Sequence, residues 1–253
     1  MRQRISAAVG AALILATSAA HAALVSTDGG LGVYDTTNNV TWTSDANLFA
    51  TQAASYSGGT AAYVSAVIAA SGGVIHDTPN AYDTSGTYTL SASDFNTSTG
   101  TVDYWGARAW VNYLDATNYG GSNHWALPTT VDNNASGGYP AQSSSQLAQL
   151  FYGGLGQVAN SSITTTHNAN YSLFSNVQSN LYWSGTEYSA VPNYAWGFRT
   201  DYGYQGVTTK LYDTYALAVS PGQVSAVPLP GAAWLLGSGL VGLVGLSRRR
   251  KTG

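Results

Sequence analysis

The sequence predicts an α+β fold with a mostly antiparallel sheet and two or three helices. Two β-rich runs flank a short turn near the N-terminus, helical periodicity dominates the middle, and short β-rich runs fill the last third. Helices and strands that are segregated along a chain in this way are typical of α+β folds rather than of alternating α/β folds. The length of 253 residues allows one large domain or two small ones.

The first predicted element is a β-hairpin. Residues 31–34 and 40–43 are rich in Val, Tyr, Thr and Trp, and they flank the Asp- and Asn-containing segment 35–39. Turn residues between two β-rich runs are typical of antiparallel strands that are joined by a tight connection.

A helix and a long loop region are predicted to follow the hairpin. Residues 60–70 are rich in Ala and Val and are followed by Gly72 and Gly73, which predicts a helix with a glycine stop. Residues 74–100 are rich in Ser, Thr, Asp and Gly and show little periodicity. We therefore expect a loop region there, with one short strand at 88–90.

The clearest helical pattern covers residues 103–117. Asp103 is a suitable N-cap, because its carboxylate can accept a hydrogen bond from a backbone N–H of the first turn. The apolar positions have the i, i+3, i+4, i+7 spacing of one buried helix face. They are Ala107, Trp110, Val111 and Leu114.

A further helix is predicted to start near Ser143. Gln146 lies three residues later, which is the spacing of a capping box. Its apolar stripe consists of Leu147, Leu150 and Phe151.

The last third of the chain predicts four strands. The runs are short, β-branched or aromatic, and Gly, Asn, Pro and Asp separate them. They cover residues 181–187, 194–200, 204–209 and 214–219.

The N-terminal 22 residues predict a secretory signal peptide. Arg2 and Arg4 supply the positive start, residues 7–16 are apolar, and Ala20-His21-Ala22 is an A-x-A cleavage site. Cleavage between Ala22 and Ala23 is expected, and the alternative is an ordinary N-terminal helix.

The C-terminus combines a proline-containing tetrapeptide, a membrane segment and a basic cluster. The tetrapeptide is Val227, Pro228, Leu229 and Pro230. The uncharged segment 231–246 is a short transmembrane candidate, and the positive-inside rule keeps the basic residues 248–251 in the cytoplasm.

This three-part order resembles the PEP-CTERM sorting tail, over residues 227–253. Val227 and Leu229 stand where the name of the family has Pro and Glu. The resemblance implies recognition by an exosortase, removal of the tail, and release to the cell surface or extracellular matrix of a Gram-negative bacterium. The alternative is a permanent C-terminal anchor.

The composition between the two ends excludes several classes of protein. The chain has no cysteine, which excludes disulfides, a thiolate metal site and a thiol nucleophile. Within the predicted mature domain, residues 23–226, only Arg108, Arg199 and Lys210 oppose twelve acidic residues, a formal charge of −9. This balance argues against binding nucleic acid or another polyanion.

Several short segments together resemble the Lcl C-terminal-domain family. The resemblance covers roughly residues 30–220, with 52–100 as an unmatched insertion. The segments are 32–35 with 40–42, 110–114, 118–129, 146–151, 182–186 and 195–198.

The resemblance implies an architecture similar to the C-type lectin-like and sulfatase-modifying-factor folds. Family members usually carry Arg within Trp-Arg-Leu-Pro, whereas this chain has Ala126, which cannot pair with a carboxylate. The flanking Trp125, Leu127 and Pro128 are expected to form core and turn rather than ligand contacts.

The candidate binding residues lie mainly on the predicted strands of the last third. Strand alternation places Trp183 and Glu187 on the same face of residues 181–187, and one of the two faces is expected to meet solvent. An exposed aromatic ring beside Asn, Asp or Glu side chains is the usual composition of a sugar site. The ligand-binding candidates are Trp183, Trp196, Tyr194, Glu187 and Asn123. Core packing is the favoured alternative for the two tryptophans.

The metal-binding patterns are weak. His76, His124 and His167 are far apart and show no paired zinc spacing. Residues 132–134 with 137–138 offer Asp and Asn oxygens for calcium, but they lack the EF-hand pattern, and such runs usually form turns. No cofactor is predicted, with calcium as the alternative.

Enzymatic activity is not predicted. The chain lacks a G-x-S-x-G elbow and a phosphate loop, and the oxidase chemistry of sulfatase-modifying factors needs a cysteine. A carboxylate pair for glycoside hydrolysis, such as Glu187 with Asp201, has no supporting pattern.

The sequence therefore predicts an exported surface or matrix protein that binds exopolysaccharide or is embedded in it. The expected partners are signal peptidase and exosortase during export, with transient contact to the membrane and none to nucleic acid. The alternatives are a structural surface protein without a small ligand and, in third place, an enzyme that acts on polysaccharide.

Overall fold

The computed structural model describes residues 23–133, 136–139 and 145–224. These residues form an α+β structure with antiparallel sheets and four α-helices, which confirms the predicted fold class with one helix more than expected. The predicted signal peptide, the sorting tetrapeptide and the segment 231–246 lie outside the described residues. Within the described part of the chain, no helix combines the length and apolar character needed to cross a membrane.

The elements are numbered in chain order. The strands are β1 Leu24–Thr27, β2 Gly32–Asp35, β3 Val40–Thr43, β4 Val74–His76, β5 Thr87–Thr89, β6 Phe95–Asn96, β7 Thr101–Val102, β8 Leu181–Glu187, β9 Tyr194–Arg199, β10 Tyr204–Thr209 and β11 Val219–Pro221. The α-helices are α1 Leu48–Ser55, α2 Gly59–Ala70, α3 Tyr104–Ala116 and α4 Gln146–Ala148, and a π-helical turn, Gln149–Gly154, continues α4.

The first sheet, sheet I, has the order β1-β2-β3-β11 and contains the predicted hairpin. The Asp35 carboxylate fixes the β2–β3 turn, because its Oδ1 accepts hydrogen bonds from the backbone N–H groups of Thr37 and Asn38 at 2.9 and 3.0 Å. The strand predicted over 214–219 is wrong in its position. The strand begins at Val219 and pairs with β3, while Thr214 makes only an isolated bridge to Val102.

The second sheet, sheet II, has the order β10-β9-β8 and consists of the three other predicted strands. The expectation that one face of β8 meets solvent is wrong for its first four residues, which are all buried. Trp183 and Ala195 pack into one hydrophobic core, and Tyr182 and Phe198 pack into another on the opposite face. Sheet II therefore lies between two cores.

The two cores divide the helices between them. Core 1 contains the buried faces of α1, α2 and α3 together with Trp125, and core 2 contains sheet I residues, α4 and the π-helical turn. The segment before β11 alternates between them, since Ala216 and Ala218 face core 1 whereas Leu217 and Val219 face core 2. This period of two extends the wall between the cores beyond sheet II.

The predicted helix over 103–117 is confirmed as α3, with Asp103 as its N-cap. The carboxylate of Asp103 accepts a hydrogen bond from the backbone N–H of Gly106 at 2.7 Å. Burial raises the pKa of Asp103 to about 8; the hydrogen bond from Gly106 opposes the rise, and nearby Asp94 and Asp213 add to it. The same side chain therefore caps the helix and carries an unfavourable buried charge at high pH.

The prediction that residues 74–100 form a loop is wrong, although the one strand expected there, at 88–90, is present as β5, one residue earlier. The predicted helix over 60–70 is present as α2, but the following segment folds into two short hairpins, β4–β5 and β6–β7. Side-chain hydrogen bonds and packing order this polar segment: the ring of Tyr88 stacks on that of Trp105, with the centroids 3.9 Å apart and an interplanar angle of 6°. Tertiary packing against α3 thus replaces the periodicity that the segment lacks.

The helix predicted to begin at Ser143 begins later. Ser145 is the N-cap, and its hydroxyl oxygen accepts a hydrogen bond from the backbone N–H of Ala148 at 3.3 Å. Gln146 is therefore the first helical residue rather than the third, and it closes no capping box. Its side-chain oxygen instead accepts hydrogen bonds from the N–H and hydroxyl of Thr129.

Candidate binding site at the edge of sheet II

Glu187, a predicted ligand-binding residue, belongs to an ion cluster that is buried on the side of Lys210 and Asp77 and partly exposed on the side of Glu187 and Arg108. Lys210 is fully buried, and its ammonium group lies 2.6 Å from Asp77 Oδ2 and 3.2 Å from Glu187 Oε2. Arg108 Nη1 lies 4.0 Å from Glu187 Oε1 and donates a hydrogen bond to the carbonyl of His76 at 2.9 Å. Two cations thus balance two carboxylates.

Aromatic rings and the β4–β5 hairpin surround this cluster. The ammonium of Lys210 lies 5.2 Å from the centroid of the Tyr104 ring and 5.8 Å from that of Trp105, within the range of cation–π attraction. Trp105 Nε1 donates to Asp77 Oδ2 at 2.9 Å, and the backbone N–H of Thr78 points at the carboxylate of Glu187. The cluster therefore fastens the β4–β5 hairpin to α3 and sheet II.

Strand β10, at the edge of sheet II, is flanked by two open clefts. The first, called the front groove, has a volume of about 310 Å³. It is lined by Gly137, Tyr188, Trp196, Tyr204, Gln205, Gly206 and Val207. The second, called the rear groove, has a volume of about 200 Å³ and lies against Leu181, Arg199, Tyr202, Tyr204, Gly206, Val207, Thr208 and Tyr212.

The strand register explains the front groove. Trp196 and Val207 are directly opposite each other in the β9–β10 pair, so their side chains share a face. Trp196 is only 3% exposed and forms the floor, while Tyr188 stands perpendicular to it at a centroid distance of 5.6 Å. Tyr204, at 37% exposed, presents the larger accessible ring.

Asp132 holds the floor of the front groove in position. Its Oδ1 accepts a hydrogen bond from Trp196 Nε1 at 2.8 Å, and its Oδ2 accepts one from the backbone N–H of Ser189 at 3.1 Å. Partial burial opposes ionisation, but these hydrogen bonds outweigh it and hold the pKa of Asp132 below its ordinary value. Asp132 therefore stays ionised and orients the indole ring.

Gln205 attaches the segment 136–139 to the edge of sheet II. Its backbone N–H and carbonyl pair with those of Gly138 at 2.8 and 2.9 Å, and its side-chain Nε2 donates to the carbonyl of Ser136 at 2.7 Å. This attachment brings the exposed ring of Tyr139 against that of Tyr204, perpendicular at a centroid distance of 5.6 Å. A further aromatic surface thereby adjoins the front groove.

The rear groove also presents tyrosine rings. Tyr202 lies 5.8 Å from Tyr204 between centroids, and Tyr212 is 52% exposed. Arg199 stacks over the Tyr202 ring at 5.1 Å and pairs with Asp201 at 2.7 Å. The cation in this groove is therefore already neutralised.

The structure brings together only part of the predicted ligand-binding set. Trp183 is fully buried and donates its indole N–H to the carbonyl of Val102 at 3.0 Å, so its prediction as a ligand contact does not fit the structure. Trp196 lines the front groove, and Tyr194 is exposed at the start of the same strand. Asn123 is exposed in the loop that precedes Trp125, outside either groove.

The other candidate residues have structural partners. Glu187 and Asp201, the guessed carboxylate pair, each have a cation partner of their own, Lys210 and Arg199. Asp132, a possible calcium ligand, uses both carboxylate oxygens as hydrogen-bond acceptors. Among the described residues, no three His, Asp or Glu side chains are grouped so that they could hold a metal ion.

Ala126 opens onto a third cleft of about 290 Å³. The cleft lies between α3 and the segment around residues 125–129, and the partly exposed Arg108 lines it. The flanking Trp125 and Leu127 are buried in core 1, as predicted. The cleft that Ala126 lines therefore does contain a guanidinium group, which α3 supplies through Arg108.

Sequence reasoning missed most of the groove residues. Tyr188, Tyr204 and Tyr212 were not singled out, because eighteen tyrosines give no reason to choose among them. The pairing of strands 194–200 and 204–209 was the available indication, since register would have placed Val207 opposite Trp196. The role of Asp132 could not be found in this way, because it depends on a contact 64 residues away.

Comparison of the chain with family models, with curated proteins and with solved structures returns no match.

Proposed function

We propose that this protein is exported, trimmed at both ends, and retained at the surface or in the extracellular matrix, where its front groove binds exopolysaccharide. In this proposal signal peptidase cleaves after Ala22 and an exosortase removes the tail that begins near Val227. The protein acts as a binding module and catalyses no reaction.

The front groove is the observation that carries the binding proposal. Sugar sites combine a flat apolar surface with a few oriented polar groups. Tyr204 and Tyr139 supply exposed rings, Trp196 supplies a floor that Asp132 fixes, and Gln205 secures the segment beside them. Tyrosine is suited to such a surface, because its ring is apolar and its hydroxyl can hydrogen-bond to a sugar or to water.

We further propose a C-type lectin-like architecture and membership of the Lcl C-terminal-domain family. The α+β arrangement with antiparallel sheets is compatible with this assignment. Two of the segments that carry the resemblance are also in contact: the carbonyl of Pro128 accepts hydrogen bonds from the hydroxyl of Ser184 and the N–H of Gly185, both at 2.9 Å.

The export part of the proposal is tested by mass spectrometry of the protein recovered from the cell surface or culture medium. We expect an N-terminus at Ala23 and a C-terminus that lacks residues 248–251. Recovery of a chain that still begins with Met1 and ends with the basic cluster would contradict export and sorting together.

The binding part is tested with a glycan array and with the exopolysaccharide of the producing organism. Tyr204→Ala is expected to weaken binding about tenfold, as for an aromatic residue at the centre of an interface. Tyr34→Ala is the matched control, because Tyr34 lies on β2 in sheet I and lines neither groove. Equal binding by the two variants, with both folded, would contradict the site.

A structural role without a small ligand is the second candidate, and one observation favours it. The six tryptophans within residues 23–224 are all buried, so the high aromatic content mainly serves the two cores. This candidate predicts that Tyr204→Ala changes neither glycan binding nor retention in the matrix.

A further inference from the structure

We propose that the ligand is an internal segment of an uncharged polysaccharide, which passes from the front groove around the edge of sheet II into the rear groove. This inference rests on the proposed function and deepens it, because it specifies the charge of the ligand, its minimum length and its path. A single sugar or a chain end would occupy one groove and leave the other unused.

The two grooves adjoin each other along β10. Tyr204, Gly206 and Val207 line both of them. Gly206 has no side chain to form a ridge between the grooves, and the ring of Tyr204 approaches it so closely that an added Cβ would lie 3.1 Å from Tyr204 Cε1. The shared residues therefore present the ring of Tyr204 and the bare backbone of Gly206, and no side chain of Gly206 separates the two grooves.

The position of β10 permits a ligand to pass from one face to the other. β10 is the edge strand of sheet II. Among the described residues, Gly138 bridges its outer side at Gln205, whereas no strand or bridge pairs with the outer side of Gly206 and Val207, which line both grooves. Both clefts are open to solvent rather than closed around a small molecule. An extended polymer can therefore enter and leave without threading a chain end into a cavity.

The charges around the grooves favour an uncharged ligand. Among the described residues, no charged side chain lines the front groove, and Asp132 beside it accepts hydrogen bonds from Trp196 and Ser189 through its two carboxylate oxygens. Arg199, the one cation among the described residues that line the rear groove, is paired with Asp201 at 2.7 Å. An acidic polymer would find no free cation in either groove and would be repelled by the −9 charge of residues 23–226.

The test uses exopolysaccharide from the producing organism, cut by mild acid hydrolysis and separated by anion exchange and by size. Dissociation constants are measured for the intact protein and for Tyr188→Ala, Tyr212→Ala and Tyr34→Ala. Tyr188 lines only the front groove and Tyr212 only the rear groove, while Tyr34 is the control. Thermal unfolding of each variant establishes that it is folded.

The expected result is that affinity rises with fragment length in the uncharged fraction until both grooves are filled. Tyr188→Ala and Tyr212→Ala should each weaken binding of long fragments about tenfold, while Tyr34→Ala leaves it unchanged. Single sugars that bind as tightly as the polymer, a Tyr212→Ala variant with unchanged affinity, or preference for the acidic fraction would each overturn the inference while leaving the proposed function intact. Absence of binding to every fraction would overturn both.

Discussion

Two ion pairs of nearly equal length occupy opposite surroundings in this molecule. Lys210 lies 2.6 Å from Asp77 with both side chains fully buried, whereas Arg199 lies 2.7 Å from Asp201 with about a third of its side chain exposed. The first pair fastens the β4–β5 hairpin to sheet II, and Arg199 of the second pair lines the rear groove. Distance alone therefore says little about what an ion pair contributes.

Burial determines how much each ion pair contributes to stability, because it determines whether water can solvate the ion that remains when its partner is removed. An exposed ion that loses its partner is solvated by water, and measured exposed pairs contribute about 0–1 kcal/mol. A buried ion that loses its partner keeps the full cost of desolvation, about 3–5 kcal/mol. In a domain with three cations, the placement of two of them around Asp77 and Glu187 commits most of the positive charge to holding the fold together.

The largest expected effect comes from Lys210→Met, which leaves the buried carboxylate of Asp77 without its cation. We expect the free energy of unfolding to fall by about 3–5 kcal/mol, measured by urea denaturation. Hydrogen exchange should rise first in β4 and β5, because the cluster fastens that hairpin. Adding Asp77→Asn should recover part of the loss, since it removes the stranded charge while an amide oxygen can still accept from Trp105 Nε1.

Arg199→Met is the matched control for this comparison. Removal of the exposed pair should lower the free energy of unfolding by no more than about 1 kcal/mol. If the two methionine variants were equally destabilised, burial would not be the property that distinguishes the pairs.

Local sequence patterns were sufficient to predict these helices and strands, but they could not predict which residues form the ion pairs. Short β-branched and aromatic runs between turn residues predicted β8, β9 and β10, and helical spacing with an acidic N-cap predicted α3 with its cap. Asp77 and Lys210 are 133 residues apart, and Asp77 lies in a segment without periodicity. Its order comes from contacts with Trp105 and Lys210, which no local pattern encodes.

The candidate binding site likewise has features that the sequence predicts and features that it does not. Trp183 and Trp196 were noticed because tryptophan is a distinctive residue on a predicted strand, and core packing, the favoured alternative for both, is what the structure has. A strand that separates two cores has both faces buried. When its residues are aromatic, sequence alternation cannot distinguish it from a strand with one solvent-exposed face.

Asp103 adds a third case to the two ion pairs, a buried carboxylate without a cation. None of the salt bridges in the described part of the chain includes it. Burial raises its pKa from 3.8 to about 8, so the folded protein binds a proton that the unfolded chain has released. The stabilisation from this proton is therefore complete below about pH 4 and is lost as the pH rises toward 8.

Between about pH 6 and about pH 8 this loss amounts to about 2 kcal/mol, the smallest of the effects that should resolve clearly in denaturation. Asp103→Asn should remove this part of the pH dependence while retaining the cap, because an Asn oxygen can accept the hydrogen bond from Gly106. Asp103→Ala should lose the cap, at a cost of about 1 kcal/mol, at every pH. An unchanged slope in Asp103→Asn would mean that Asp103 is ionised in the folded protein, and that a buried carboxylate here needs no cation of the kind that Lys210 gives to Asp77.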